Sequence, residues 1–146
     1  MNVLGFDFPD VLHYNVEHQT WARIERDRTV TVGITALGIK LSGEIYMCRP
    51  KPVGQMVEQG RSIAVVELAK AIVSVKSPLS GVVVETNDRL AVRPELVHSD
   101  PYRDGWIARI APSAWPAERD RLVHGDPVIA AMTHHAWLNQ LAREGD

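Results

Sequence analysis

The chain has 146 residues, 45% of them hydrophobic and 23% charged, with a formal net charge of -2. That length lets one domain bury about two-thirds of its unfolded surface, and the near-neutral balance argues against a nucleic-acid partner, which would call for a basic face. No apolar run approaches the roughly 18 residues of a membrane span, and the N-terminus Met1-Asn2-Val3-Leu4-Gly5-Phe6-Asp7 lacks the basic start and apolar stretch of a secretory signal.

Residues 1 to 20 show no sustained period and are expected to be irregular. From Trp21 the pattern becomes strand-like, and Val30-Thr31-Val32-Gly33-Ile34-Thr35 predicts a strand that stops at Ala36-Leu37-Gly38. Ile45-Tyr46-Met47-Cys48 predicts a short strand ended by Arg49-Pro50-Lys51-Pro52, whose prolines cannot donate to a ladder. Cys48 is the only cysteine, so no intramolecular disulfide forms and a reducing cytoplasm is expected. Strands follow at Ser62 to Val66, Ala71 to Val75, Gly81 to Glu85 and Trp106 to Ile110, with turns at Val53-Gly54 and Gln59-Gly60.

After Pro112 the texture turns helical. Ala117 to Val123 and Val128 to Arg143 are expected helices, the second with Ile129, Met132, Ala136, Leu138 and Leu141 on its apolar face. The whole reads as a mainly β domain over residues 1–146, with a β core over about 17–112 and a helical C-terminal region over about 113–144. Leu41-Ser42-Gly43-Glu44-Ile45 and Leu79-Ser80-Gly81-Val82-Val83 share one pattern, which raises the expectation that each opens a strand in related halves of a sandwich.

Between these copies lies Val65-Val66-Glu67-Leu68-Ala69-Lys70-Ala71-Ile72-Val73-Ser74-Val75-Lys76. Two β-branched runs favour extended backbone, so Leu68-Ala69-Lys70 reads as the join of a hairpin with Lys70 at or beside its tip. On periodicity alone Lys70 is an ordinary solvated turn residue. The turn nevertheless lacks the Gly, Asn, Asp or Pro that turns normally use. Lys76 sits at the far end of the return strand and reads as a solvated strand terminus.

Glu67-Leu68-Ala69-Lys70-Ala71, followed by Pro78-x-Ser80-Gly81, resembles the lipoylation hairpin of the glycine cleavage system H protein family. The likeness spans about residues 17 to 112 and takes in Val32-Gly33-Ile34-Thr35, Val57-x-x-Gly60, Asn87-Asp88, Asp100-Pro101-Tyr102 and Gly105-Trp106-Ile107. The resemblance implies a flattened β-barrel sandwich carrying covalent lipoate on Lys70. It also implies that Glu67, three residues before the lysine, and Gly81, eleven after it, help a lipoate-attaching enzyme recognise the hairpin. A protein of this kind is a carrier without catalytic residues of its own, expected to be a monomer and to work with partner enzymes and dihydrolipoamide dehydrogenase. Biotin carriers resemble the fold but place methionines beside the lysine, where this chain has Ala69 and Ala71.

The chain departs from the family pattern at Leu68, at an extra residue in Glu17-His18-Gln19-Thr20-Trp21, and at Arg49-Pro50-Lys51-Pro52, where a basic segment replaces an acidic one. Arg49 and Lys51 are therefore candidate partner-facing residues, since charge complementarity selects partners. These departures resemble lipoate-binding proteins of bacterial sulfur oxidation, which serve a heterodisulfide-reductase-like complex. That reading is placed first, with a true H protein serving the glycine cleavage enzymes as the alternative and an unmodified interaction module as the alternative of another class.

The remaining conspicuous residues read as structural. His134-His135 are adjacent on a helix and point about 100° apart, which does not make a metal pair. Cys48 reads as a buried small hydrophobe, and Trp21, Trp106, Trp115 and Trp137 as packing residues. His18 reads as a surface or capping residue, with a place beside a cofactor groove as the alternative.

Overall fold

The computed structural model describes residues 1–144. Eleven strands and four helices follow one another as β1 (Asn2–Val3), β2 (Phe6–Asp7), β3 (His13–Asn15), β4 (Thr20–Ile24), β5 (Val30–Ile34), α1 (Ala36–Ser42), β6 (Met47–Pro50), β7 (Met56–Val57), β8 (Ser62–Glu67), β9 (Ile72–Lys76), β10 (Gly81–Thr86), α2 (Leu96–Ser99), β11 (Ala108–Pro112), α3 (Trp115–Arg119) and α4 (Pro127–Glu144), with a 3-10 turn at Asp88–Ala91. A six-stranded sheet in the order β3-β4-β5-β11-β10-β7 faces a three-stranded sheet in the order β6-β8-β9. Val30, Val32, Val83 and Ile110 of the first meet Ile63, Ala64, Val66 and Val75 of the second in one buried core. The fold is thus the expected mainly β sandwich with C-terminal helices; its sheets remain separate and do not close into a barrel.

A second core lies between the N-terminal segment and α4. Phe8, Leu12, Tyr14, Trp21, Val128 and Met132 are all essentially inaccessible to solvent there. Residues 1 to 20 are consequently ordered, which corrects the expectation of an irregular start. β1 pairs with β2, and β3 pairs with β4 through Tyr14 and Trp21. The strands are too short to show a period, and their stability comes from the contact with α4.

Three further elements differ from expectation, each because a tertiary contact overrides local pattern. Thr35 ends β5 and caps α1, its hydroxyl accepting from the Gly38 N–H at 3.0 Å. Leu41-Ser42 closes that helix, and Gly43 follows at φ 82, where only glycine is unstrained. Leu79-Ser80-Gly81 instead enters β10, so the two Leu-Ser-Gly copies are not equivalent halves. The expected helix over Ala117 to Val123 is α3 at Trp115–Arg119, because Val123 exchanges two backbone hydrogen bonds of 2.8 Å with Tyr14. The expected last strand at Trp106 begins at Ala108; Asn87 binds the Asp104 and Trp106 carbonyls and holds that segment as a loop.

On α4 the buried stripe is Val128, Met132 and Ala136, while Ile129, Trp137 and Leu138 are exposed. Ile129 and Leu138 therefore lie off the packed face and Trp137 is not a core residue; the side chain of Leu141 lies outside the described residues. No helix among the described residues is long and apolar enough to cross a membrane.

Candidate functional site

β8 and β9 form an antiparallel hairpin with Glu67 opposite Ile72, Val66 opposite Val73 and Val65 opposite Ser74. Alternation turns Val66 and Val75 into the core, while Val65, Glu67 and Ile72 face outward. The Leu68 N–H donates to the Ala71 carbonyl at 2.8 Å, which leaves Ala69 and Lys70 as the two free residues of the tip. Neither has a positive φ, so the turn needs no glycine or asparagine, and the composition that seemed unusual for a turn is accommodated.

Lys70 is exposed and takes part in no ion pair or side-chain hydrogen bond among the described residues. Its amine is therefore free to be acylated. Lys76 is half-buried and paired with Ser62 at the base of the hairpin. Lys70 crowns the hairpin, while Lys76, expected as a solvated strand terminus, is half-buried within the ladder.

Glu67 lies on the outer face, exposed, between Met47 and Ile72 on the neighbouring strands and without a cationic partner among the described residues. Gly81 is placed differently. It is buried at the start of β10, and a Cβ there would sit 2.1 Å from the Ala111 carbonyl oxygen. Gly81 permits the close approach of β10 to β11. Glu118, from α3, braces the same point through Ser80.

Arg49 shares the outer face with Glu67, and among the described residues its guanidinium reaches only the Met47 sulfur, at 3.3 Å. Arg49 and Pro50 belong to β6 and do not terminate it, which corrects the expected boundary. Pro50 is tolerated because β6 is an edge strand. Lys51 is half-buried, and its N–H extends the ladder to the Ile63 carbonyl at 2.8 Å.

Behind the hairpin a cleft of about 310 Å³ separates Val66, Val73 and Val75 from Ile34, Leu41 and Ile45, with His18, Gln19, His135 and Asn139 along its rim. His18 thus stands beside this cleft. Gln19, His135 and Asn139 escaped notice in the sequence. Gln19 is buried with φ 55 and accepts the Thr35 hydroxyl at 2.6 Å, while its amide donates to the Val16 carbonyl at 2.8 Å and meets the Met132 sulfur at 3.2 Å. Its one signal was the extra residue before Trp21. His135 is held below the usual histidine range by burial, with the neighbouring His134 adding to the effect. A more open groove of about 510 Å³ between α1 and α2 contains no hairpin residue. Cys48 is buried and its thiol is pushed up to about 12 by desolvation, so it has no thiolate character to offer.

The family model for the glycine cleavage H-protein matches residues 12–135. The chain belongs to the glycine cleavage H-protein family. Members of this family are carriers with covalently attached lipoate and are not themselves catalysts. An exposed tip lysine, unpaired among the described residues, on a hairpin whose Val66, Val73 and Val75 line a cleft fits that group. The chain is 43% identical over 105 residues to the glycine cleavage system H protein of Halorhodospira halophila, covering 72% of this chain and 80% of that protein. It is 35% identical over 131 residues to glycine cleavage system H protein 2 of Aquifex aeolicus, covering 90% and 81%. The crystal structure of a glycine cleavage system H protein from Mycobacterium marinum superposes with a TM-score of 0.68 at 29% identity, covering 73% of this chain and 87% of that one. For this H-protein family member, relatives with glycine cleavage names reverse the order of the two pathway readings, and none of those named here supports the sulfur-oxidation reading placed first on Arg49-Pro50-Lys51-Pro52.

Proposed function

We propose that the chain is a lipoyl carrier of the glycine cleavage type, with lipoate joined through an amide to Lys70. The observation that carries this is the Lys70 tip: a free amine on a two-residue turn, held out by a hairpin whose inner side opens on a cleft. Lipoate, when bound, supplies a dithiolane that opens to accept a group or an electron pair and is reoxidised elsewhere.

The chain's own residues hold and present that arm. β8 and β9 keep the attachment point away from the body of the fold. Acylation removes the lysine's charge, so an arm on Lys70 can approach the cleft without the cost of desolvating an ammonium. Val73, three residues from Lys70, already lines the cleft. Glu67 presents an unpaired carboxylate to the lipoate-attaching enzyme. The partners would then be that enzyme, the glycine cleavage enzymes and dihydrolipoamide dehydrogenase, in a reducing cytoplasm.

Co-expression with a lipoate ligase, followed by intact mass measurement, tests the assignment. Wild-type chain and Lys76→Arg should each gain one lipoyl group, and Lys70→Arg none. A Lys70→Arg chain that is still lipoylated overturns it. A second reading, a sulfur-oxidation carrier serving a heterodisulfide-reductase-like complex, rests on the exposed cation Arg49 beside the hairpin. Glycine turnover reconstituted with the decarboxylase and aminomethyltransferase of the same organism supports the first reading. Loss of growth on thiosulfate after deletion, with glycine metabolism intact, supports the second.

A further inference from the structure

The three-stranded sheet that carries Lys70 has two edges, and they are treated differently. At the β6 edge Pro50 has no N–H to offer, and Asn87, Asp88 and Ala91 stand beside Cys48 and Pro50. The β9 edge has no proline and keeps a regular register from Ile72 to Ser74. It ends the sheet, with no strand beyond it among the described residues, and its Ser74 borders the cleft that Glu17, Ser42, His135 and Asn139 also line. Ile72 is 74% exposed and Val73 43%. A β-branched edge left open in this way invites pairing, and proteins normally blunt such edges.

The ladder shows which backbone groups are open. Leu68 and Ala71 form a hydrogen-bonded pair, and in an antiparallel ladder bonded and non-bonded pairs alternate. Ala71 and Val73 therefore direct their N–H and C=O groups to β8. Ile72 and Ser74 direct theirs to the open side. The edge thus offers two donors and two acceptors at strand spacing, beginning two residues from Lys70.

We propose that this β9 edge receives an extended backbone segment of the enzyme that attaches lipoate to Lys70, adding a fourth strand to the β6-β8-β9 sheet. The inference rests on the lipoyl-carrier reading. An attaching enzyme must hold the Lys70 amine at bonding distance, so it necessarily meets the hairpin end. Pairing with Ile72 and Ser74 sets the offset of the lysine from the enzyme's active site. A slip of one residue would turn every side chain to the wrong face, so strand addition fixes the register in which Lys70 is presented. A second copy paired through the same edge would bring another hairpin alongside and obstruct access to the lysine.

Amide hydrogen exchange, read residue by residue by NMR, tests this on the Lys70→Arg chain, which cannot turn over, alone and saturated with the lipoate-attaching enzyme. The Ile72 and Ser74 amides should slow about tenfold or more in the complex, while Val73, already bonded to β8, changes little. Unchanged exchange at Ile72 and Ser74 in the saturated complex overturns the proposal. So does protection of both amides in the chain alone accompanied by a dimer in sedimentation. As an independent arm, Ser74→Pro removes one outward N–H and leaves the β8 ladder intact; kcat/KM for loading should fall about tenfold. A folded Ser74→Pro chain loaded at the wild-type rate overturns the proposal, and should the variant not fold, the exchange result decides. Wild-type chain that is never loaded on Lys70 refutes the carrier reading itself; loaded wild type with unprotected Ile72 and Ser74 refutes strand addition alone.

Discussion

Glu118 accepts two hydrogen bonds from Ser80, from its backbone N–H at 2.7 Å and its hydroxyl at 2.5 Å. The Ser80 hydroxyl in turn accepts from the Gln59 N–H at 2.8 Å. A C-terminal helix of five residues is thereby fastened to the residue that precedes β10, and the return path from the hairpin is held in place.

Glu118→Ala should destabilise the chain by about 1–3 kcal/mol, because the Ser80 N–H loses its partner in a site where Glu118 is only 8% exposed. Denaturant unfolding reads the loss directly. Loading of Lys70 per folded molecule should not change, since the hairpin tip is untouched.

Gly81→Ala separates two explanations of the same residue. A methyl 2.1 Å from the Ala111 carbonyl and 2.6 Å from Ile110 forces β10 and β11 apart, at a cost of about 3 kcal/mol or more. The expected outcome is a clear fall in Tm with residual folded protein that is still loaded. A chain of normal Tm that resists loading would instead make Gly81 a recognition residue.

Glu67→Gln should behave in the opposite way. The side chain is exposed and bonded to nothing among the described residues, so stability should stay within about 0.5 kcal/mol of wild type. The rate of lipoate attachment should fall about tenfold or more, as for loss of one charge at a recognition surface. Unimpaired loading would remove Glu67 from the recognition site.

Acid should loosen the contact between β3 and the C-terminal region. His13 stacks on His124 with ring centroids 4.1 Å apart, and its Nδ1 is buried without a partner. Burial above all, then the positive neighbours His124 and Arg119, lowers it from 6.5 to about 4. Between those values the unfolded chain binds a proton that the folded chain does not, so stability falls as pH drops from about 6.5 toward 4. His135, lowered by burial, acts in the same direction. Tm measured across that range should decline in wild type and decline less in His13→Phe, which retains the ring and cannot be protonated.

The β-branched runs Ile63 to Val66 and Ile72 to Val75 were legible as strands because their preference is local, and Lys70 between them was legible as a tip. Cys48 was readable as a buried residue for a similar reason, since an apolar strand buries one face. The first twenty residues were not legible, because β1 to β3 are too short to carry a period and are stabilised by α4 from more than a hundred residues away. Nor was the cleft, whose rim joins Gln19 to His135 and Asn139 across the same distance.

By itself, then, the sequence determined the hairpin and the lysine at its tip, since short-range backbone preference is enough to place them. Tertiary structure decided the rest. It gave Gly81 a packing role, because only the neighbour β11 reveals that no Cβ fits. It left β9 as an open edge and β6 as a guarded one, because whether a strand's outward groups find a partner depends on which elements the rest of the chain brings alongside.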